Sequence, residues 1–122
     1  MLQMQHLVLK QFSNQKNFID DLDIILILIP SEYSISQNYP NPFNPITTLQ
    51  YDLPEGSFVN VAIYDMLGNM VNTLVNANQS SGYKTVQWNA TNNQGEPVSA
   101  GVYLYKIQAG DFVDTKKMIL LK

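Results

Sequence analysis

The stretch Gly101–Leu121, GVYLYKIQAGDFVDTKKMILL, decides the fold. Two runs of β-favouring residues flank Gly110-Asp111, a two-residue connection suited to a tight hairpin in which glycine accepts positive φ. Residues two apart on a strand share a face, so Tyr103 and Tyr105 point one way together. The same texture continues upstream. Tyr83–Asn89 (YKTVQWN) aims Val86 and Trp88 together, and Phe58–Asp65 (FVNVAIYD) alternates Val59, Val61 and Ile63 against Phe58, Asn60, Ala62 and Tyr64. Ile46–Leu53 (ITTLQYDL) places Leu49, Tyr51 and Leu53 on one face, while Met70–Val75 (MVNTLV) leaves its inward side open. Turn chemistry separates these runs at Pro54-Glu55-Gly56, Met66-Leu67-Gly68-Asn69 and Asn92-Asn93-Gln94-Gly95, and Asn76–Gly82 reads as a loop. Six or seven strands spaced by roughly 8–12 residues predict an all-β, antiparallel two-sheet sandwich. Its expected core contains Val59, Val61, Ile63, Val86, Trp88, Tyr103 and Tyr105.

Bulk composition limits what this sandwich does. The 122 residues fit one domain with one modest core. Seven Lys, no Arg and ten acidic residues give a net charge of −3, so no basic field exists to attract nucleic acid. Cysteine is absent, which removes disulfides, thiolate metal sites and Cys nucleophiles. Thirteen Asn, ten Gln and seven Tyr with only 14% charged residues suit a β-rich extracellular module.

The texture changes near Ser34. All six glycines lie between Gly56 and Gly110, and residues 1–34 read as an attached segment beside a domain at 35–122. Within that segment Leu22–Ile29 either adds a strand to a sheet edge, ends a preceding domain, or belongs to a linker remnant. Ile24–Ile29 is far shorter than the ~20 residues a membrane-spanning helix needs. The first residues lack the basic start, long apolar stretch and small-residue cleavage site of a signal peptide, so any export address is expected upstream, in a longer parent chain.

Catalysis needs convergent titratable groups. His6 is the only histidine, and no nucleophile elbow, phosphate-cradling loop or HExxH helix appears, so the chain reads as non-enzymatic. No cofactor is expected. Asp65, Asp111 and Asp114 sit at strand ends where calcium could recruit them; the stronger reading is that turn aspartates accept bonds from nearby backbone amides. Tyr64, Tyr83, Tyr103, Tyr105 and Trp88 would make a sugar-stacking platform only as an exposed coplanar row, whereas strand aromatics usually serve the core.

Two further stretches carry information. Asn38–Pro45 (NYPNPFNP) has three prolines in eight residues, so it cannot join a sheet interior and is expected as a semi-rigid collar, with Phe43 docking it. The end of the chain interleaves Lys116, Lys117 and Lys122 with Met118–Leu121. Such a strand either adds to a receptor strand through main-chain hydrogen bonds or carries lysines that guard an edge against aggregation.

In order, NYPNPFNPITTLQYDLP, VNVAIYDMLGNMVNTLV, GYKTVQWNATNNQGEPVSAGVYLYKIQAG and TKKMILLK resemble the type A C-terminal sorting domain of the type IX (Por) secretion system, over roughly residues 35–122. That resemblance implies a small immunoglobulin-like β-sandwich of about seven strands at the end of a secreted protein. It further implies recognition by outer-membrane export machinery of a Gram-negative bacterium, removal by a sortase-like peptidase, and delivery of the upstream cargo to the cell surface. The family's signal elements then fall on Gly68, Gly101, Tyr103, Lys117 and Lys122. Gly101 is also expected to give the chain room as it enters a strand from the Pro97 loop. The NPFNP, YD..G and GVY pieces are similar to the immunoglobulin-like domain of flagellar hook-capping proteins as well. A carbohydrate-binding or adhesive module and a structural immunoglobulin-like spacer stand as the alternative functions.

Overall fold

The computed structural model describes residues 29–121. The sandwich is built from β1 (Ser34–Ile35), β2 (Thr47–Leu53), β3 (Ser57–Asp65), β4 (Met70–Gln79), β5 (Gly82–Trp88), β6 (Gly101–Ala109) and β7 (Phe112–Leu120). One sheet has the order β1-β2-β5 and the other β4-β3-β6-β7, with every neighbouring pair antiparallel. The all-β, antiparallel two-sheet sandwich expected from strand spacing is therefore present, and it is consistent with the immunoglobulin-like fold that the resemblance implies. The apolar run at Ile24–Ile29 and His6 fall outside the described residues, save Ile29 itself.

Period-2 alternation places the core. Leu49, Tyr51 and Leu53 of β2 face Val59, Val61 and Ile63 of β3 and Tyr105, Ile107 and Ala109 of β6, all buried. Trp88 closes one end, its ring 5.3 Å from Tyr103 and 5.7 Å from Phe43. Its indole N–H donates to the Thr91 carbonyl at 2.8 Å, which gives the buried ring's one polar atom a partner. Val86 points inward as expected but stays half-buried, because β5 is an edge strand.

Two expectations change. β4 continues through Asn76–Gln79, which composition marks as loop; Asn76, Ala77 and Asn78 pair with Asn60, Val59 and Phe58, so tertiary pairing overrides the poor β-propensity of asparagine. Bulges between Val61/Ala62 and Ile63/Tyr64 shift the β3–β4 register, and Val71, Leu74 and Val75 all pack on the core. A strand interrupted by bulges loses strict alternation, which is why the inward side of β4 is unreadable from its sequence.

The proline-rich segment is a docked strap. It leaves β1, crosses the open side of the sandwich and returns into β2. Phe43 is 1% exposed and forms a parallel bridge with Leu120. Its N–H donates to Ile119 O at 3.0 Å and its carbonyl accepts from Leu121 N at 2.8 Å. The Asn41 carboxamide oxygen accepts from Ile119 N at 3.0 Å, and Gln37 Nε2 donates to Lys117 O at 2.8 Å. Behind the strap the Tyr105 hydroxyl donates to Ser36 O and accepts from Asn38 N, at 2.9 and 2.8 Å. Among the described residues no buried side-chain polar atom lacks a partner.

Candidate functional site

Antiparallel pairing carries the β3–β4 hairpin, the start of β6 and the end of β7 to one pole of the four-stranded sheet. Asp65 pairs with Tyr103, Tyr103 with Met118, and Gly101 with Leu120. Gly68, Gly101, Tyr103 and Lys117 thus gather at that pole, although up to 49 residues separate them in sequence (117 − 68). Lys122 follows Leu121 and lies outside the described residues. The chain enters at the opposite pole, where Tyr33 stacks on Phe112 with ring centres 5.5 Å apart and its hydroxyl bonds Ser57 Oγ at 2.8 Å.

Each of the four sits there for a different reason. Gly68 has φ +88° in the β3–β4 turn, a conformation that disfavours side chains. Asp65 organises that turn: its Oδ1 accepts from Leu67 N and Asn69 N, both at 2.9 Å. Those backbone bonds, Asn69 N foremost, hold its carboxyl below the usual carboxylate range. The backbone-satisfying reading of Asp65 is the geometry present. Among the described residues no three of His, Asp and Glu gather where they could hold a metal ion.

Gly101 has φ +149°, and a Cβ built on it meets nothing within 4 Å. The close-approach reason expected for this glycine is therefore corrected: backbone conformation, not crowding, requires it. Tyr103 is 7% exposed, with its hydroxyl donating to Ser99 O at 2.6 Å. Burial, and secondarily the Asp65 charge, push its pKa up. Tyr103 supports the pole from inside, while Lys117 projects outward from β7.

Around these residues the pole exposes apolar side chains. Leu67 is 87% exposed at the hairpin tip, flanked by exposed Met66 and Met70, and Ile119 and Leu121 are exposed at the end of β7. On the outer face of the sheet Tyr64, Leu104 and Lys117 form one cross-strand row, with Val102 opposite Ile119. The Lys106 ammonium lies 5.7 Å from the Tyr64 ring centre. Leu104 and Lys106 carry no expectation from sequence, yet the alternation that turns Tyr103 and Tyr105 inward turns them outward.

The five aromatics considered for sugar stacking do not form a row. Trp88, Tyr103 and Tyr105 are core, Tyr64 lies on the outer face of the four-stranded sheet, and Tyr83 is exposed on the other sheet. An open groove beside β2 is lined by Gln37, Tyr39, Thr48 and Gln50, all uncharged. No helix among the described residues is long and apolar enough to cross a membrane.

Comparison with known proteins bears on the fold. No curated protein matches the chain. Among solved structures, dimeric latent PorU from Porphyromonas gingivalis matches with a TM-score of 0.59 and 22% identity over 75% of this chain and 10% of its own. PorZ, an essential surface component of the type IX secretion system of P. gingivalis, matches at 0.50 and 21%, over 74% of this chain and 11% of its own. FlgD from P. aeruginosa matches at 0.49 and 19%, over 75% and 73%. The chain thus spans about a tenth of the length of PorU and of PorZ, and at these identities the likeness is one of fold. Residues 45–111, more than half of the 122, match the family described as FlgD Ig-like domain, from the start of the β2 run through the β6–β7 hairpin. The chain belongs to the FlgD Ig-like domain family.

Proposed function

We propose that this immunoglobulin-like sandwich is a non-catalytic sorting module, which marks an upstream cargo for export across the outer membrane by a type IX secretion system. The observation that supports it is the gathering of Gly68, Gly101 and Lys117 at one exposed, partly apolar pole. That pole lies at the opposite end of the sandwich from Tyr33. The fold likeness to PorU and PorZ, the latter a surface component of a type IX secretion system, supports the same assignment. On this reading the partners are outer-membrane export machinery and a sortase-like peptidase, no cofactor takes part, and the cargo ends at the cell surface.

The test is Lys117→Gln with Lys122→Gln, in a fusion of a periplasmic reporter to the 122-residue chain. Surface charge changes usually alter stability by only about 0.5 kcal/mol, so the double variant should stay folded by circular dichroism. It should also accumulate in the periplasm. Normal surface delivery of the folded variant would show that these lysines are not read. A structural spacer is the competing reading, favoured because the chain comes in at Tyr33 and β7 ends at the opposite pole, as in a string of domains. A spacer predicts no delivery of the unmodified fusion at all.

A further inference from the structure

β7 can offer a partner either its main-chain edge or its outward side chains, and the structure treats the two differently. From Lys117 to Leu121 the edge is occupied: Gln37, Asn41 and Phe43 of the strap take Lys117 O, Ile119 N, Ile119 O and Leu121 N. Adding a receptor strand there would require withdrawing Phe43, a fully buried ring packed beside Trp88. Nearer the hairpin, Thr115 N donates to Asp114 Oδ1. From Lys117 to Leu121 the edge is thus covered in the way proteins commonly guard sheet edges against pairing.

Among the described residues no strand packs on the outer face. Its β6 and β7 positions run Val102, Leu104, Lys106 and Gln108 beside Ile119, Lys117, Thr115 and Val113, and β3 adds half-buried Asn60 and Tyr64 on either side of Ala62, which is buried beneath its neighbours. Two lysines stand among these positions and no carboxylate does, within a chain whose net charge is −3. Half-buried Val102 and Leu104, and Ile119 at 37% exposure, lie among the lysines. A polyanion would favour a denser cation array without these apolar side chains.

Resting on the sorting reading, we infer that the receptor docks on this outer face of β3, β6 and β7 with sandwich and strap intact, through a protein surface that presents carboxylates among apolar side chains. Recognition is then by side chains, and the terminal strand is not exchanged or extended.

β6 provides the discriminating test because it is an internal strand. Its outward side chains meet a partner docked on the face, whereas a strand added beyond β7 lies one strand further away. Leu104→Glu and Lys106→Glu are introduced separately into the reporter fusion, and folding is checked by melting of the purified chain. Each folded variant should lower surface reporter by about tenfold or more, the response to about 1.4 kcal/mol of lost binding. If Leu104→Glu fails to fold, Lys106→Glu and the milder Lys106→Gln carry the test. Undiminished delivery of the folded variants overturns face docking while leaving sorting in place, and retention of the unmodified fusion removes both. Lys106-dependent binding of the purified chain to phosphatidylglycerol vesicles, absent with phosphatidylcholine, would overturn the protein partner in favour of a lipid surface.

Discussion

Truncating Phe43 to alanine tests whether the proline-rich strap is part of the folded domain. The ring is 1% exposed, sits 5.7 Å from Trp88, and is held by the backbone bonds to Ile119 and Leu121. Burying such a side chain is worth about 1.5–3 kcal/mol in transfer terms. The cavity left behind brings Phe→Ala losses to about 3–5 kcal/mol. A domain of this size has about 5–15 kcal/mol in total, so the variant gives up a large share of it. At about 4–8 °C per kcal/mol, the melting temperature should fall by roughly 12–40 °C. Trp88 is the only tryptophan and neighbours the strap, so urea and thermal melts followed by its fluorescence report the event directly. Hydrogen exchange at the Ile119 and Leu121 amides, which the strap holds, should accelerate in the same variant. A loss below about 1 kcal/mol with unchanged protection would show that the strap is not docked, and would reopen the β7 edge to strand addition.

Other expectations follow from single residues. Gly101→Ala should cost about 1–3 kcal/mol in urea melts through its φ of +149° alone, since its Cβ would meet open space; a neutral alanine would refute the backbone argument. Tyr105→Phe should cost about 1–3 kcal/mol by leaving the buried Asn38 N–H and Ser36 carbonyl without their partner. Burial holds the Tyr105 hydroxyl up at about 12 against about 10 in the unfolded chain. Its contribution is therefore full below pH 10 and lost as pH rises through 12, and Tyr105→Phe should flatten that alkaline slope in melts across the window; an unchanged slope would assign the loss elsewhere. Asp65 has the opposite sign: its lowered native pKa contributes stability above the unfolded value, lost as pH falls through the native one. Melts at acidic and neutral pH should show a smaller difference for Asp65→Ala than for the parent, and an equal difference would show that the turn carboxylate does not carry it.

Strand count, sheet class and most of the core were legible because the inward residues of β2, β3 and β6 alternate without interruption. Val59, Val61, Ile63, Trp88, Tyr103 and Tyr105 are all buried. Legibility failed where pairing rather than side-chain pattern decides. Asn76–Gln79 became strand because β3 supplies main-chain partners, and the β4 bulges erased the period that would have shown its inward side. Gly101 could be picked out as a required glycine, but its reason could not, since a backbone dihedral and a tight contact leave the same residue in the sequence. The candidate pole was legible only as scattered positions. Its convergence depends on the β3–β6–β7 order, and the closure of the β7 edge depends on where Gln37, Asn41 and Phe43 land, neither of which local pattern encodes.

On the sorting reading, this domain is sufficient to send a fused protein to the cell surface. The direct measurement fuses a folded periplasmic reporter ahead of the 122-residue chain and compares surface and periplasmic reporter in a host with its type IX secretion system and in the same host lacking it. Sorting predicts surface reporter in the first host and periplasmic accumulation in the second. Periplasmic retention in both, with the fused domain intact and folded, would contradict it and favour the immunoglobulin-like spacer.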